Sequence, residues 1–87
     1  MNKDNRSGPT PTRRSFAVHN RRDVEFTVVL EPWANEYPVR PGGTLEIVEE
    51  DGEPGAILEI GIETTFVVFY ARQGSILRAY DGGEELP

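Results

Sequence analysis

The feature that most constrains the fold is a repeated alternation of apolar and polar residues. From Val24 to Glu31, every second side chain is apolar: Val24, Phe26, Val28 and Leu30. Successive side chains of a β-strand point to opposite faces, so this pattern predicts a strand with one buried face. Five further short strands are predicted at residues 36–40, 44–50, 56–62, 65–71 and 75–80.

Turn-forming residues separate these segments. Pro41-Gly42 has the chemistry of a type II turn, and Asp51-Gly52 and Gln73-Gly74 are typical of tight connections between strands. No stretch of the chain has helical periodicity with capping residues. The sequence therefore predicts an all-β domain, either a small antiparallel β-barrel or a two-sheet β-sandwich of about six short strands. Because the turns are short, we expect a meander in which consecutive strands are neighbours.

The segment 65–71 differs from the others because it is apolar on both faces. A strand of this kind is typical of the centre of a sheet that is covered on two sides. We therefore expect both faces of this strand to be buried.

Charge and apolar content divide the chain near residue 22. Residues 1–22 contain six basic residues and one acid, a net charge of +5, whereas residues 23–87 contain three basic residues and fourteen acids, a net charge of −11. Only four residues of the first segment are apolar, too few to offset the entropy of ordering it. We predict a flexible basic tail at 1–22 and a single small β domain at 23–87. The tail would act as an electrostatic arm through four arginines: Arg13, Arg14, Arg21 and Arg22.

The residues that most enzymes depend on are scarce. The chain has no cysteine, and its single histidine, His19, lies in the predicted tail, where it would lack a rigid surrounding. No serine lies in a nucleophile-elbow pattern. A pair of carboxylates could still serve a small hydrolase, but a domain of this size has little room for a cleft. We expect no enzymatic activity and keep the hydrolase as a weak alternative.

Two stretches bear on metal binding. The acidic run Glu49–Glu53 could bind Ca²⁺, but it lacks the ligand spacing of an EF-hand, and solvated turn charges are the preferred interpretation. Residues 37–47 resemble the strand–proline–glycine–strand step of cupredoxin-like and cupin-like sandwiches. The His, Cys and Met metal ligands of those families have no counterparts within 23–87. We expect no metal and no cofactor.

The strongest binding signal is aromatic. Trp33 and Tyr37 lie on the predicted loop between the first two strands, with Arg40 close in sequence, and these residue types are enriched at protein interfaces. For Trp33 itself the preferred interpretation is that it folds back as a lid over one end of the domain and adds apolar burial. The sequence predicts a protein-interaction domain, a monomer or weak dimer, with an acidic body, a basic arm and a protein partner that it does not identify.

Nucleic-acid binding by a small barrel with an arginine-rich tail is the main alternative. The tail arginines could neutralise phosphates and would make such binding sensitive to salt. The acidic body would repel a polyanion, and no aromatic residues interleave with basic residues on a predicted strand. We therefore rank this function second.

One short motif bears on localisation. Residues 12–17, Thr-Arg-Arg-Ser-Phe-Ala, resemble the twin-arginine export pattern, but polar and charged residues follow where the apolar stretch should be. No apolar run is long enough for a membrane-spanning helix, so we expect no membrane association. The sequence predicts a cytoplasmic protein.

Overall fold

The computed structural model describes residues 13–87, which form eight β-strands. In chain order the strands are β1 Arg13–His19, β2 Phe26–Glu31, β3 Asn35–Val39, β4 Thr44–Glu50, β5 Glu59–Ile62, β6 Phe66–Tyr70, β7 Ile76–Asp81 and β8 Glu84–Glu85. The all-β prediction is confirmed, and each of the six predicted strands overlaps one of these elements. No helix within the described range is long and apolar enough to cross a membrane.

The strands form two four-stranded sheets rather than a closed barrel. The first sheet has the order β1-β4-β7-β8 and the second has the order β3-β2-β6-β5. The pairs are antiparallel except β2 and β6, which run parallel with Val28 opposite Val67 and Leu30 opposite Phe69. The expectation of an antiparallel meander is therefore wrong: the chain leaves the second sheet to form β4 and returns to place β6 beside β2. This placement brings the apolar β6 into the middle of its sheet.

The hydrophobic core lies between the two sheets. The side chains that alternate inward from β2 and β4 meet there, together with inward residues of β3, β6 and β7. The buried core residues are Phe26, Val28, Leu30, Tyr37, Val39, Leu45, Ile47, Phe69, Leu77 and Ala79.

The prediction of a flexible tail over residues 1–22 is wrong for the part of it that the structure describes. Residues 1–12 lie outside the described residues, but β1 pairs along its whole length with β4, with Phe16 opposite Ile47. The Phe16 ring also lies 6.0 Å from the Phe69 ring, centroid to centroid. The apolar residues of this segment are two apart and so fall on one face of a strand, where they pack against the core. The folded domain includes residues from Arg13 onward.

Asn20 holds the connection between β1 and β2. Its side chain is fully buried, and Nδ2 donates hydrogen bonds of 2.9 Å to the carbonyl oxygens of Val24 and Val39. Its Oδ1 accepts a hydrogen bond from the backbone N–H of Arg22. Because these bonds satisfy the buried amide, Asn20 fixes the path of a segment whose composition alone suggests flexibility.

Candidate functional site

The outer face of the second sheet, which points away from the core, combines apolar and acidic side chains. The register gives the two rows that define it. Glu36, Val29 and Val68 lie side by side on β3, β2 and β6. In the next row, Glu31, Tyr70 and Glu59 lie side by side on β2, β6 and β5. Each apolar side chain of β6 in these rows therefore has a carboxylate within one or two strands of it.

Two aromatic side chains of β6 on this face are partly exposed to solvent. Phe66 is 39% exposed and Tyr70 is 41% exposed, whereas Val68 between them is buried. The prediction that both faces of β6 would be buried is wrong at the two ends of the strand, where Phe66 and Tyr70 are exposed, although Val68 is buried. The two exposed aromatic rings are the main apolar feature of this face.

A groove of about 480 Å³ follows this face along β2. Val29, Phe66 and Val68 form its apolar part. Glu25, Glu31 and Glu36 supply the acidic part. Within residues 13–87, no lysine or arginine lines it. We call these six residues together with Tyr70 and Glu59 the acidic-apolar face.

Tyr70 lies close to Gly61 of the neighbouring strand β5. A Cβ atom placed on Gly61 would be 3.4 Å from Cε2 of the Tyr70 ring, an ordinary van der Waals contact. The exposed Tyr70 ring therefore packs beside the backbone of β5.

A second cluster of charged residues lies at one end of the sandwich, inside it. Glu49 is 1% exposed and accepts hydrogen bonds from Arg14 and Arg72. Arg14 donates from Nε (3.0 Å) and Nη2 (2.9 Å) to Oε1, and Arg72 donates from Nε to Oε2 (2.9 Å) and from Nη2 to Oε1 (2.8 Å). Arg72 also donates to the backbone carbonyl of Glu53, so it holds the loop that follows β4.

Opposing effects set the pKa of Glu49. Burial disfavours the charged carboxylate and by itself would raise the pKa. The hydrogen bonds and positive charges of Arg72 and Arg14 outweigh burial, and the pKa of Glu49 is lowered from its usual value. The carboxylate is therefore charged and fully engaged near neutral pH. The interpretation of Glu49–Glu53 as solvated turn charges is wrong for Glu49, whose function in the fold is to connect the sheets.

This cluster offers little chemistry. Both oxygens of Glu49 accept hydrogen bonds from guanidinium groups, so they are not available as a general base or as ligands of a cation. Within residues 13–87, no three His, Cys, Asp or Glu side chains lie together in a way that could hold a metal ion. We therefore assign the Arg14–Glu49–Arg72 cluster to stability rather than to function.

The structure brings together two of the three residues predicted to bind a partner. Trp33, in the turn between β2 and β3, and Tyr37 line one cleft of about 250 Å³ at the end of the sandwich. Trp33 is 45% exposed, whereas Tyr37 is buried and donates a hydrogen bond to the backbone oxygen of Pro87. Arg40 lies apart from both, in a smaller depression near Asp81.

The four arginines of the predicted arm occupy separate positions on the body. Arg14 binds Glu49, and Arg13 lies 3.8 Å from the Glu50 carboxylate. Arg22 donates a 2.6 Å hydrogen bond to the carbonyl oxygen of Thr64. Arg21 is exposed and lines a cleft between β1 and β5. Three of the four arginines thus contact other residues of the folded domain.

The acidic-apolar face itself was missed in the sequence, although one signal for it was present. The apolar character of both faces of β6 showed that this strand had more apolar surface than one core could cover. The carboxylates of β2, β3 and β5 gave no such signal, because which of them flank β6 depends on the parallel pairing.

Comparison with known proteins adds no assignment. The chain matches no model of a known protein family, no characterised protein and no solved structure.

Proposed function

We propose that this chain is a non-enzymatic protein-interaction domain that binds a basic, partly apolar segment of a partner protein on its acidic-apolar face. The observation that carries the proposal is the exposure of Phe66 and Tyr70 on a strand whose neighbours carry carboxylates. Large exposed aromatic rings are the side chains that most often provide binding energy at protein interfaces.

Charge favours the same class of partner. Glu25, Glu31 and Glu36 line one groove to which the described residues contribute no lysine or arginine, so the groove is acidic. Lysine or arginine side chains of a partner would complement this charge, and their aliphatic stems would cover Val29 and Phe66. Complementary charge of this kind increases the association rate and selects against acidic partners.

The arrangement of the arginines supports a protein partner over a nucleic acid. Arg13 and Arg14 lie beside Glu50 and Glu49, so binding phosphates with them would require breaking these ion pairs. The acidic-apolar face would repel a polyanion. A cytoplasmic location remains part of this proposal and rests on the sequence alone.

The experiment uses a fluorescently labelled peptide of alternating lysine and valine as the probe. We expect fluorescence anisotropy to show saturable binding to the full chain that weakens as salt is added. The double variant Glu31→Gln/Glu36→Gln should bind roughly five-fold more weakly, since two charge contacts are lost. The variant Phe66→Ser, whose ring is partly exposed, should weaken binding while the far-ultraviolet circular dichroism stays unchanged.

The matched control is Glu84→Gln, an exposed carboxylate on β8 of the other sheet. It should leave the affinity for the lysine–valine peptide unchanged. A peptide of alternating glutamate and valine should not bind. The proposal would be contradicted if Glu84→Gln and the double variant lost affinity for the lysine–valine peptide equally. Equal binding of the two peptides would also contradict it.

A further inference from the structure

The two sheets are not joined on the side where β1 and β5 lie. Both are edge strands among the described residues, and a cleft of about 500 Å³ opens between them. Apolar side chains from both sheets line the cleft. They include Phe16, Val18, Ile60, Ile62, Val67 and Phe69.

The β5 side chains show that the core is incomplete on this side. Ile60 is opposite Phe69 and Ile62 is opposite Val67, so both isoleucines point toward the space between the sheets. Even so, Ile60 is 41% exposed and Ile62 is 79% exposed. Inward-facing aliphatic residues with this exposure leave apolar area that a further strand would bury.

The backbone of β5 can accept such a strand. The Glu63 N–H donates a 2.8 Å hydrogen bond to the Phe66 carbonyl where β5 turns into β6. In an antiparallel pair, alternate residues direct their N–H and C=O groups toward the partner, so those of Ile60 and Ile62 point outward. Within residues 13–87, no strand pairs with this edge of β5.

We propose that an extended segment of a partner protein adds to the second sheet at β5. Its backbone would pair with the outward groups of Ile60 and Ile62, and its alternating aliphatic side chains would enter the cleft toward Phe16. Strand addition of this kind takes its affinity from main-chain hydrogen bonds and its specificity from the alternate side chains. This site lies on the edge of the sheet, next to the acidic-apolar face, and Phe66 lines both.

The charged residues that line the cleft favour an acidic residue at the end of the partner segment. His19, Arg21 and Arg22 line it, against a single acid, Glu63. Arg22 donates to Thr64, whereas Arg21 is exposed and makes no hydrogen bond or ion pair with another described residue. A carboxylate at the end of the partner segment beside Ile62 would meet Arg21, so the segment is aliphatic and acidic rather than basic.

Two occupants from this chain itself fit less well. If β5 paired with the β5 of a second copy around Gly61, Glu59 would lie opposite Glu63 of that copy, and each chain carries a net charge of −6. Residues 1–12 contain no aliphatic or aromatic side chain other than Met1 and two prolines. Neither sequence supplies a suitable alternating strand, so the proposal assigns the edge of β5 to a strand of another protein.

The test uses the full chain and a labelled peptide of alternating valine and threonine with a glutamate at each end. We expect saturable binding by fluorescence anisotropy, and amide hydrogen exchange measured by NMR should slow at Ile60 and Ile62 on binding. Arg21→Glu should weaken binding roughly tenfold. The matched variant Arg40→Glu changes another exposed arginine whose side chain makes no hydrogen bond or ion pair with a described residue, and it should leave the affinity unchanged. Ile62→Lys should abolish binding without unfolding the domain.

Three outcomes would overturn the proposal. The first is equal binding of a peptide with the same composition in scrambled order, and the second is an equal loss of affinity in Arg21→Glu and Arg40→Glu. The third is concentration-dependent self-association that protects the Ile60 and Ile62 amides without peptide, because it would assign the edge to a second copy.

Discussion

Arg72 donates hydrogen bonds to both carboxylate oxygens of Glu49, from Nε to Oε2 at 2.9 Å and from Nη2 to Oε1 at 2.8 Å. Glu49 belongs to β4 of the first sheet, and Arg72 follows β6 of the second. This bidentate pair therefore connects the two sheets at one end of the sandwich. Arg14 adds β1 to the connection through the same carboxylate.

Replacing Glu49 should destabilise the domain strongly. In Glu49→Gln, the nearly buried Arg72 guanidinium loses its counter-charge, and breaking a buried ion pair from one side costs about 3 kcal/mol or more. Urea unfolding followed by circular dichroism measures the free energy of unfolding. The control is Glu50→Gln, whose more exposed carboxylate contacts Arg13 and Arg78 and should contribute less than about 1 kcal/mol. Similar decreases in the free energy of unfolding of Glu49→Gln and Glu50→Gln would show that the burial of Glu49 is not important for stability.

The stability of the domain should fall in acid because of the same residue. The pKa of Glu49 is lowered on folding from its usual value of 4.5, so its contribution to stability is complete above that value. The contribution is lost as the pH falls from there through the folded pKa. Urea midpoints measured from about pH 6 to about pH 3 should drop more steeply for the wild-type chain than for Glu49→Gln. If the urea midpoints of the wild-type chain and of Glu49→Gln fell equally with pH, the assignment of this acid sensitivity to Glu49 would be contradicted.

Gly52 should tolerate no side chain. A Cβ atom at this position would lie 2.7 Å from Oε1 of Glu49 and would overlap the Arg72 guanidinium. Gly52→Ala should therefore displace the cluster and lower the free energy of unfolding by about 1–3 kcal/mol. Gly61→Ala is the matched control, because its Cβ would make only ordinary contact with the Tyr70 ring. An equal decrease in the free energy of unfolding of both variants would contradict this prediction, because it would show a general effect of replacing glycine.

Removing β1 should unfold the domain. A chain of residues 23–87 loses Phe16 and Val18 from the edge of the core, as well as Asn20 and its buried hydrogen bonds. A chain of residues 13–87 keeps every contact described above and serves as the control. We expect cooperative thermal unfolding for residues 13–87 and none for residues 23–87. A cooperative transition in residues 23–87 would restore the prediction that the first 22 residues form a tail.

Local patterns in the sequence predicted most of the strands. Those patterns could not predict how strands that are distant in sequence pair with one another. The alternation around Val28 and the turn residues predicted six strands that the structure contains. The same alternation was present at Phe16 and Val18, but the surrounding arginines and low apolar content favoured a tail. Only the pairing of β1 with β4 shows that those two residues have a core to pack against.

The sequence predicted the acidic and aromatic character of the candidate site but not the residues that form it. An acidic surface presented to a partner follows from the net charge of residues 23–87, and the aromatic residues Trp33 and Tyr37 were the natural choice beside it. Tyr37 is instead buried and Trp33 is exposed at the end of the sandwich, whereas the aromatic residues exposed on the acidic-apolar face are Phe66 and Tyr70. Their position depends on the parallel pairing of β2 with β6, which short turns do not suggest.

The most direct test of the proposed function is a chemical-shift map of the full chain, titrated with the lysine–valine peptide and followed by NMR. We expect the largest shift changes at Val29, Phe66, Val68 and Tyr70, with the neighbouring glutamates affected next. Changes confined to the cleft of Trp33 and Tyr37, or no changes at concentrations that saturate the anisotropy signal, would contradict the assignment of binding to the acidic-apolar face.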